Sequence, residues 1–164
     1  MKTIALFVHQ PYCSVQSDNG IMDALAAKYR FKIFTKHEVE NDFFDDVDVL
    51  AVPGGIGDAS TFNICFKANI SKIKEFIRNG GKYLGICMGG YLAGEHYLDI
   101  LSKTTKAVQY VKRKGSTVNH EKPDVVDVSW GSNYASMYFF DGAAFVVKAP
   151  FKRVAGRIFA RYSN

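Results

Sequence analysis

The stretch "NGGKYLGICMGGYLAG", Asn79–Gly94, decides the fold. A short apolar segment from Tyr83 to Ile86 leads directly into Cys87, and a helix-like pattern starts at the next residue. Glycines stand two residues before the cysteine and two and three residues after it. This pattern predicts a strand that turns sharply into a helix, with the cysteine at the turn.

Strand-like and helix-like segments alternate over the first hundred residues. Apolar runs predict four strands, at Thr3–Val8, Phe31–Phe34, Val47–Pro53 and Lys82–Ile86. Helical spacing predicts one helix from Ile21, Met22, Leu25, Ala26 and Tyr29, a second from Ile70, Ile73, Phe76 and Ile77, and a third from Met88 onward. Asn79–Gly81 should cap the second helix. The alternation predicts an α/β fold, a flavodoxin-like parallel sheet with helices on both faces.

The C-terminal third reads differently, because it has no helical stripe. Five strand-like segments are separated by Gly, Pro or Asp, namely "AVQYV", "DVVDVSW", "YASMYFF", "AAFVVKA" and "RVAGRIFARY". We expect an antiparallel extension of the sheet or a β-meander beside it.

Length and composition favour one globular domain over residues 1–164. The 164 residues contain 48% hydrophobic and 23% charged residues, with no apolar run of membrane-spanning length and no signal peptide. We therefore expect a cytoplasmic protein that does not bind membranes. Three cysteines at irregular spacing predict reduced thiols, no metal site and no cofactor. The net charge of +5 is dispersed, and its one cluster, Lys112–Lys114, is typical of a solvated loop, so no nucleic-acid partner is expected.

Cys87 has two readings, a nucleophile on a strained turn or a small apolar residue in a Gly-rich corner. Small residues at Gly85 and Gly89 would let strand and helix cross closely. A helix N-terminus would favour the thiolate, and the N–H of Met88 would point at an oxyanion.

A second glycine-rich segment, "VPGGIGDAS" (Val52–Ser60), follows the third strand and should lie at the same edge. Gly54 or Gly55 could supply a second oxyanion donor, and a plain strand-to-helix turn is the alternative. Asp58 could line the rim of the site or cap a helix. We expect a small-molecule ligand at this edge.

These motifs resemble the class I glutamine amidotransferase-like superfamily, and in particular the N-terminal domain of biotin-protein ligases. The resemblance rests on "VLAVPGGIGDASTF", "IKEFIRNGGKYLGICMGGYLAG", "YFFDGAAF" and "VAGRIFARY", and more loosely on "FVHQPYCSVQSDNGIMDAL". Asp141 stands where the family usually has Asn, and Ala143 where it has a second Gly, so the shape of that loop is open. The intracellular protease/chaperone branch has a Glu soon after the first strand. Here the loop from His9 to Ser14 has no carboxylate, which argues against that branch.

The resemblance implies that Cys87 would attack a glutamine amide, assisted by a late His-x-Glu pair. His9 ends the first strand and is a candidate rim residue. His37 should be exposed, and His96 should lie too far along the third helix to reach the cysteine. His120 is followed directly by Glu121 in a polar turn and is a weak candidate for the base.

Three functions stay open at this point: an active cysteine hydrolase or amidotransferase, a degenerate module that binds a ligand at the elbow, and a regulatory module related to biotin-protein ligase. The chain stops four residues after Ala160, before the segment where the family carries its base. We therefore expect a C-terminally incomplete domain without glutaminase activity. An exposed sheet edge would favour a homo-oligomer.

Overall fold

The computed structural model describes residues 1–101, 103–147 and 160–162. The chain divides into two compact units, Met1–Ile100 and Leu101–Asn164. Among the described residues, the first unit has two buried clusters of side chains and the second unit has one.

The first unit is built on a four-stranded parallel sheet with the order β2-β1-β3-β4. Its strands are β1 (Lys2–Phe7), β2 (Tyr29–Phe34), β3 (Val49–Val52) and β4 (Lys82–Gly85). Its helices are α1 (Val15–Leu25), α2 (Ala59–Ile64), α3 (Ile70–Arg78) and α4 (Met88–Leu92). The predicted α/β class and the parallel sheet are confirmed, and strand bounds differ from the predicted ones by one or two residues at most ends.

The central strands are apolar on both faces because the sheet is covered on both sides. In β1, Ala5 and Phe7 belong to one buried cluster, while Ile4 and Leu6 belong to another that includes Ile21 of α1. Alternate residues of β1 therefore belong to the cores on opposite faces of the sheet, as expected for a buried parallel strand. The carboxyl ends of β1, β3 and β4 lie at the same edge of this sheet.

Two helices, and not the single predicted one, connect β3 to β4. The stripe of Ile73 and Phe76 is buried in α3, as predicted. The preceding α2 is only six residues long, too short to show a helical repeat in the sequence. α3 ends at the expected glycines: Gly80 has a φ of +96°, and the N–H of Gly81 donates to the carbonyl of Phe76 at 3.0 Å.

The second unit is antiparallel, as predicted for the C-terminal third. Its strands are β5 (Thr105–Gln109), β6 (Asp124–Trp130), β7 (Asn133–Phe139), β8 (Ala143–Val147) and β9 (Ala160–Tyr162). One sheet pairs β5 with β8, and the other has the order β7-β6-β9. Buried side chains of β6 and β7 pack with Tyr110, whose ring stacks on Tyr162 at 3.8 Å. Most of the predicted strand at Arg153–Tyr162, and the last residues of the one before it, lie outside the described residues.

Asp141 shows how the loop before β8 accommodates its departure from the family pattern. The residue has a φ of +48°, in the left-handed region that Asn and Asp tolerate best among non-glycine residues. Its carboxylate accepts a hydrogen bond from the side-chain amide of Gln109 at 2.8 Å. Ala143 then opens β8 in regular register with Gln109. Across both units, the described part of the chain holds no helix with the length and apolar character needed to cross a membrane.

Candidate functional site

Cys87 occupies a strained position at the junction of β4 and α4. It is the N-cap residue of α4, with φ +51° and ψ −106°, and its side chain makes no capping hydrogen bond. A positive φ is uncommon outside glycine and typically persists where the surrounding structure enforces it. The thiol is half-buried. The turn from β4 into α4 therefore holds Cys87 in a backbone conformation that few non-glycine residues adopt.

Two close approaches enforce this turn. A Cβ added to Gly85 would lie 2.5 Å from the carbonyl oxygen of Gly89, and one added to Gly89 would lie 2.2 Å from the carbonyl oxygen of Val52. The N–H of Ile86 donates to Val52 at 3.0 Å, which ties the elbow to β3. A side chain at Gly85 or Gly89 would therefore collide with the backbone where β4 and α4 cross.

Tyr83 braces the elbow in a way that the sequence did not suggest. Its hydroxyl donates to the carbonyl oxygen of Gly89 at 2.7 Å, and burial raises the pKa of the phenol well above its usual range. Its ring also lies 2.7 Å from the position of a Cβ on Gly85. Alternation along β4 indicates only that this tyrosine faces a core; its contact with α4 depends on the fold.

Gly54 connects the elbow to helix α1. Its N–H donates to the Oγ of Ser17 at 2.8 Å. A Cβ added to Gly54 would lie 3.2 Å from the Cβ of Cys87 and 3.4 Å from the Oγ of Ser17. Of the two glycines considered as oxyanion donors, Gly54 therefore already has an acceptor for its N–H in this conformation. Ser17 is a residue of this region that the sequence gave no reason to select beyond its place in the first turn of α1.

Gly55 sits where no other residue fits. A Cβ there would lie 2.3 Å from the ring of Phe62 and 2.4 Å from the carbonyl oxygen of Tyr12. Cys13 and Gly55 form an isolated antiparallel bridge, in which the N–H of Ser14 donates to Gly54 at 2.9 Å. The β1–α1 loop thus lies directly against the glycine-rich loop after β3.

Helix α4 is shorter than the sequence suggested, and this corrects the placement of His96. The helix ends at Leu92, so His96 lies beyond it in an exposed turn instead of on the helix. Glycines at 89, 90 and 94 explain the early end, since glycine costs about 1 kcal/mol in a helix interior. Met88 begins the helix, with its side chain buried in the core. Its N–H is one of the first-turn donors that have no acceptor within a helix.

The other three histidines occupy different environments. His9 follows β1, and its ring lies 5.9 Å from that of Tyr12 in a stacked arrangement. Burial lowers the pKa of His9, with smaller contributions from Lys36 and His37, so its imidazole is neutral near pH 7. His37 is exposed. In the second unit, the Nε2 of His120 lies 3.4 Å from a carboxylate oxygen of Asp124.

The three cysteines are thiols of very different exposure. Cys13 and Cys65 are buried, whereas Cys87 is half-buried. Burial raises the pKa of Cys13 to about 12 and also raises that of Cys65. Cys13 accepts a hydrogen bond from the N–H of His9 at 3.2 Å. Both buried thiols are therefore held in the protonated, unreactive form at neutral pH.

Asp18 is a buried carboxyl that the sequence did not single out. It lies in the first turn of α1, next to Ser17, with only 3% of its surface exposed. Its Oδ1 has no hydrogen-bond partner among the described residues. Burial raises its pKa to about 6. An acidic residue near a helix N-terminus looks ordinary in sequence, so nothing signalled this burial.

Asp58 caps helix α2. Its Oδ1 accepts a hydrogen bond from the N–H of Thr61 at 2.8 Å, and further bonds from Ser60 and Thr61 help to lower its pKa. Of the two roles that the sequence allowed for Asp58, the structure gives it the N-cap. In the described part of the chain, no group of three or more His, Cys, Asp or Glu side chains is placed to hold a metal ion.

The sequence of this chain matches a known protein family. Residues 13–109, more than half of the chain, match the family model described as biotin-protein ligase, N terminal. The chain belongs to that family. The match includes the glycine-rich loop after β3, the elbow and strand β5. No curated protein sequence matches this member of the family significantly.

Solved structures confirm the amidotransferase-like fold. The chain is similar to the PurLQS structure from Thermotoga maritima, with a TM-score of 0.65 and 15% identity over 100% of this chain and 76% of that chain. A glutamine amidotransferase gives 0.63 and 12% identity over 96% and 79% of the two chains. Another, from Thermotoga maritima, gives 0.59 and 15% over 90% and 63%. At these identities the likeness concerns the fold alone.

Proposed function

We propose that this chain is an amidotransferase-like module that binds a small carbonyl-bearing molecule at the elbow. In this proposal the 164-residue chain has no glutaminase activity. In this proposal Cys87 is the nucleophilic contact, and the N–H groups of Met88 and Gly55 face the carbonyl oxygen. The observation that carries it is the positive φ of Cys87 at the end of a parallel strand.

The cost of this conformation supports a functional role for Cys87. A non-glycine residue in a sparsely populated region of φ and ψ costs about 1–3 kcal/mol. Gly85 and Gly89 allow the crossing that enforces it, and the hydroxyl of Tyr83 donates to the carbonyl of Gly89 in α4. A buried structural cysteine would need none of these features, as Cys65 illustrates at the end of α2.

We infer the absence of glutaminase turnover from the residues that follow each histidine in the sequence. None of the four is followed two residues later by a glutamate, the arrangement that the amidotransferase family uses to activate its cysteine. General-base assistance contributes about a hundredfold to ten-thousandfold to rate. A thiol that lacks such assistance would cleave amides poorly.

Ammonia release from glutamine tests this proposal. The chain and its Cys87→Ser variant should release ammonia at the same background rate. Release that disappears in the variant would contradict the proposal and favour the second candidate function, an active cysteine hydrolase. His9 would then be the first base to test, because its neutral imidazole can accept a proton. His9→Gln, compared with exposed His37→Gln, would decide that point.

The reactivity of the three thiols gives an independent prediction. We expect iodoacetamide to label Cys87 at least tenfold faster than Cys13 or Cys65 at pH 7.5, since only Cys87 is both accessible and on a strained turn. Mass spectrometry of partly alkylated protein measures the three rates. In denaturant the rates should converge; equal rates in the folded protein would remove the support for a reactive elbow.

A regulatory role towards a biotin-protein ligase is the third candidate, and the family description favours it. Adding this chain to a biotin-protein ligase catalytic domain and following biotin transfer would test it. A change in rate that the Cys87→Ser variant retains would indicate regulation through a surface other than the thiol.

A further inference from the structure

Among the described residues, strand β7 forms an open sheet edge, and its sequence lacks the usual protection against pairing. It forms one edge of the β7-β6-β9 sheet, and its only strand partner among the described residues is β6. Six of its seven residues are exposed. Edge strands are normally protected by charged residues, proline, bulges or shortness. The sequence of β7, "NYASMYF", has no charge, proline or glycine and is longer than an average strand.

The hairpin register fixes which backbone groups face outward from this edge. Trp130 and Asn133 are paired on either side of a two-residue turn, so they form a hydrogen-bonded pair. Hydrogen-bonded and non-hydrogen-bonded pairs then alternate along the hairpin. The N–H and C=O groups that point away from β6 therefore belong to Tyr134, Ser136 and Tyr138.

The outward residues Tyr134 and Tyr138 lie at equal distances on either side of Ser136. Two antiparallel copies of β7 can therefore bring all their outward backbone groups opposite each other. We propose that β7 pairs antiparallel with β7 of a second copy of this chain, about a two-fold axis at Ser136. Ser136 then faces itself, and Tyr134 faces Tyr138 of the second copy, twice. Every outward N–H and C=O of the three residues gains a partner in this register, and a closed two-fold dimer results.

The charges near this edge do not oppose a second copy as its occupant. Two chains of net charge +5 repel each other overall, but pairing through β7 brings no charged side chain opposite its own copy. The charge closest to the edge on this face is Asp127 of β6, which accepts a hydrogen bond from Ser136 at 2.7 Å. The two copies of Asp127 would lie three strand spacings apart, roughly 14 Å, beyond the screening length of about 8–10 Å.

The exposed tyrosines contribute the apolar part of the contact. Tyr134 is 79% exposed and Tyr138 is 72% exposed. Aromatic cross-strand pairs stabilise sheets, and these two residues form two such pairs across the axis. One strand edge buries less than the roughly 1,200–2,000 Å² of a standard stable interface, so the dimer should dissociate on dilution.

A pair of double variants tests the register. Tyr134→Lys/Tyr138→Lys places like charges opposite each other in both cross-strand pairs, whereas Tyr134→Lys/Tyr138→Glu places opposite charges there. Both remove the same two exposed tyrosines. Sedimentation velocity over a dilution series should show a concentration-dependent dimer for the wild type and the Lys/Glu variant. The Lys/Lys variant should need at least tenfold more protein to dimerise.

Three results would overturn the proposal: a wild type that stays monomeric throughout, equal dissociation of the two double variants, or oligomers that grow beyond the dimer. Far-ultraviolet circular dichroism and the thermal midpoint should match among the three proteins, because both positions are exposed. A common loss of fold in both variants is excluded by that control. Ser136→Pro, which removes the central outward N–H, should also abolish the dimer.

Discussion

Two strand-to-helix junctions of the first unit meet at Gly54, and they are built in opposite ways. From β1 to α1 the chain uses a loop that ends at Ser14, which has φ −78° and ψ 120° and caps the helix by accepting from the N–H of Ser17. From β4 to α4 it uses only Ile86 and Cys87, and the cap residue has a positive φ and no capping side chain.

The difference shows that one sheet edge can combine an unstrained polar junction with a strained, sterically held one. The long junction satisfies its backbone with side chains and stays unstrained, and it supplies Ser17 to the N–H of Gly54. The short junction is held by steric crossing at glycine and leaves a thiol where a cap would normally sit. Substitutions should therefore act through sterics at the short junction and through polar groups at the long one.

The largest effect is expected for Gly85→Val at the short junction. A branched side chain would collide with the backbone of Gly89 and the ring of Tyr83, so we expect the free energy of unfolding to fall by about 3–5 kcal/mol. Chemical denaturation measures the change. An unaltered midpoint would mean that β4 and α4 do not cross as closely as described.

Gly20→Ala in α1 is the matched control for that substitution. A Cβ at Gly20 meets no atom within 4 Å, and the residue lies within the helix. We expect stability to rise by about 0.5–1 kcal/mol, since alanine is the better helix former. A loss of stability in both variants would mean that Gly85→Val does not report on the close crossing at the short junction.

Asp18→Asn should give the next largest effect, and only above acidic pH. Burial raises the pKa of Asp18 from its ordinary 3.8 to about 6 in the folded protein, so ionisation opposes folding. The wild type therefore loses stability as pH rises through this window, and the variant does not. We expect the variant's relative stability to increase by about 1–3 kcal/mol between pH 4 and pH 7.

Urea denaturation at several pH values measures this difference. Asp23→Asn, at an exposed position of the same helix, is the control and should show the smaller dependence. A pH-independent difference between the Asp18 variant and the wild type would show that this carboxyl is solvated.

Among the substitutions at the site itself, the smallest effect is expected for Ser17→Ala. The buried N–H of Gly54 would lose its acceptor, which costs about 1–2 kcal/mol. Because Gly54 lies against Cys87, the alkylation rate of Cys87 should change as well. Exposed Asn19→Ala should leave that rate unaltered. An unchanged rate in both variants would mean that the long junction does not support the elbow.

Sequence patterns over a few residues predicted the strands and helix ends that short-range interactions determine. Strand β6 coincides with the predicted segment Asp124–Trp130, because alternation and a following turn define it. The end of α3 was also predicted correctly, because Gly80 and Gly81 follow its last apolar residue. The length of α4 was overestimated, since the apolar residues after Cys87 continue past three glycines that end the helix early.

The site was only partly visible in sequence for a related reason. Gly85, Cys87 and Gly89 form a contiguous motif and could be recognised together. Ser17 and Tyr83 reach the same region by long-range packing or a side-chain direction that no local spacing encodes. A serine in the first turn of a helix is typical of capping, which hides its contact with Gly54.

The pairing of β5 with β8 has a consequence for how the second unit folds. Gln109 pairs with Ala143, and the entire β6–β7 hairpin lies between them. Closing that long loop in an unstructured chain costs more entropy than closing a two-residue turn. A preformed hairpin shortens the loop that must be closed. We therefore expect β6 and β7 to pair first, within microseconds, and β5 and β8 to pair afterwards. The sequence-distant pair would then also be the first to open in native-state hydrogen exchange.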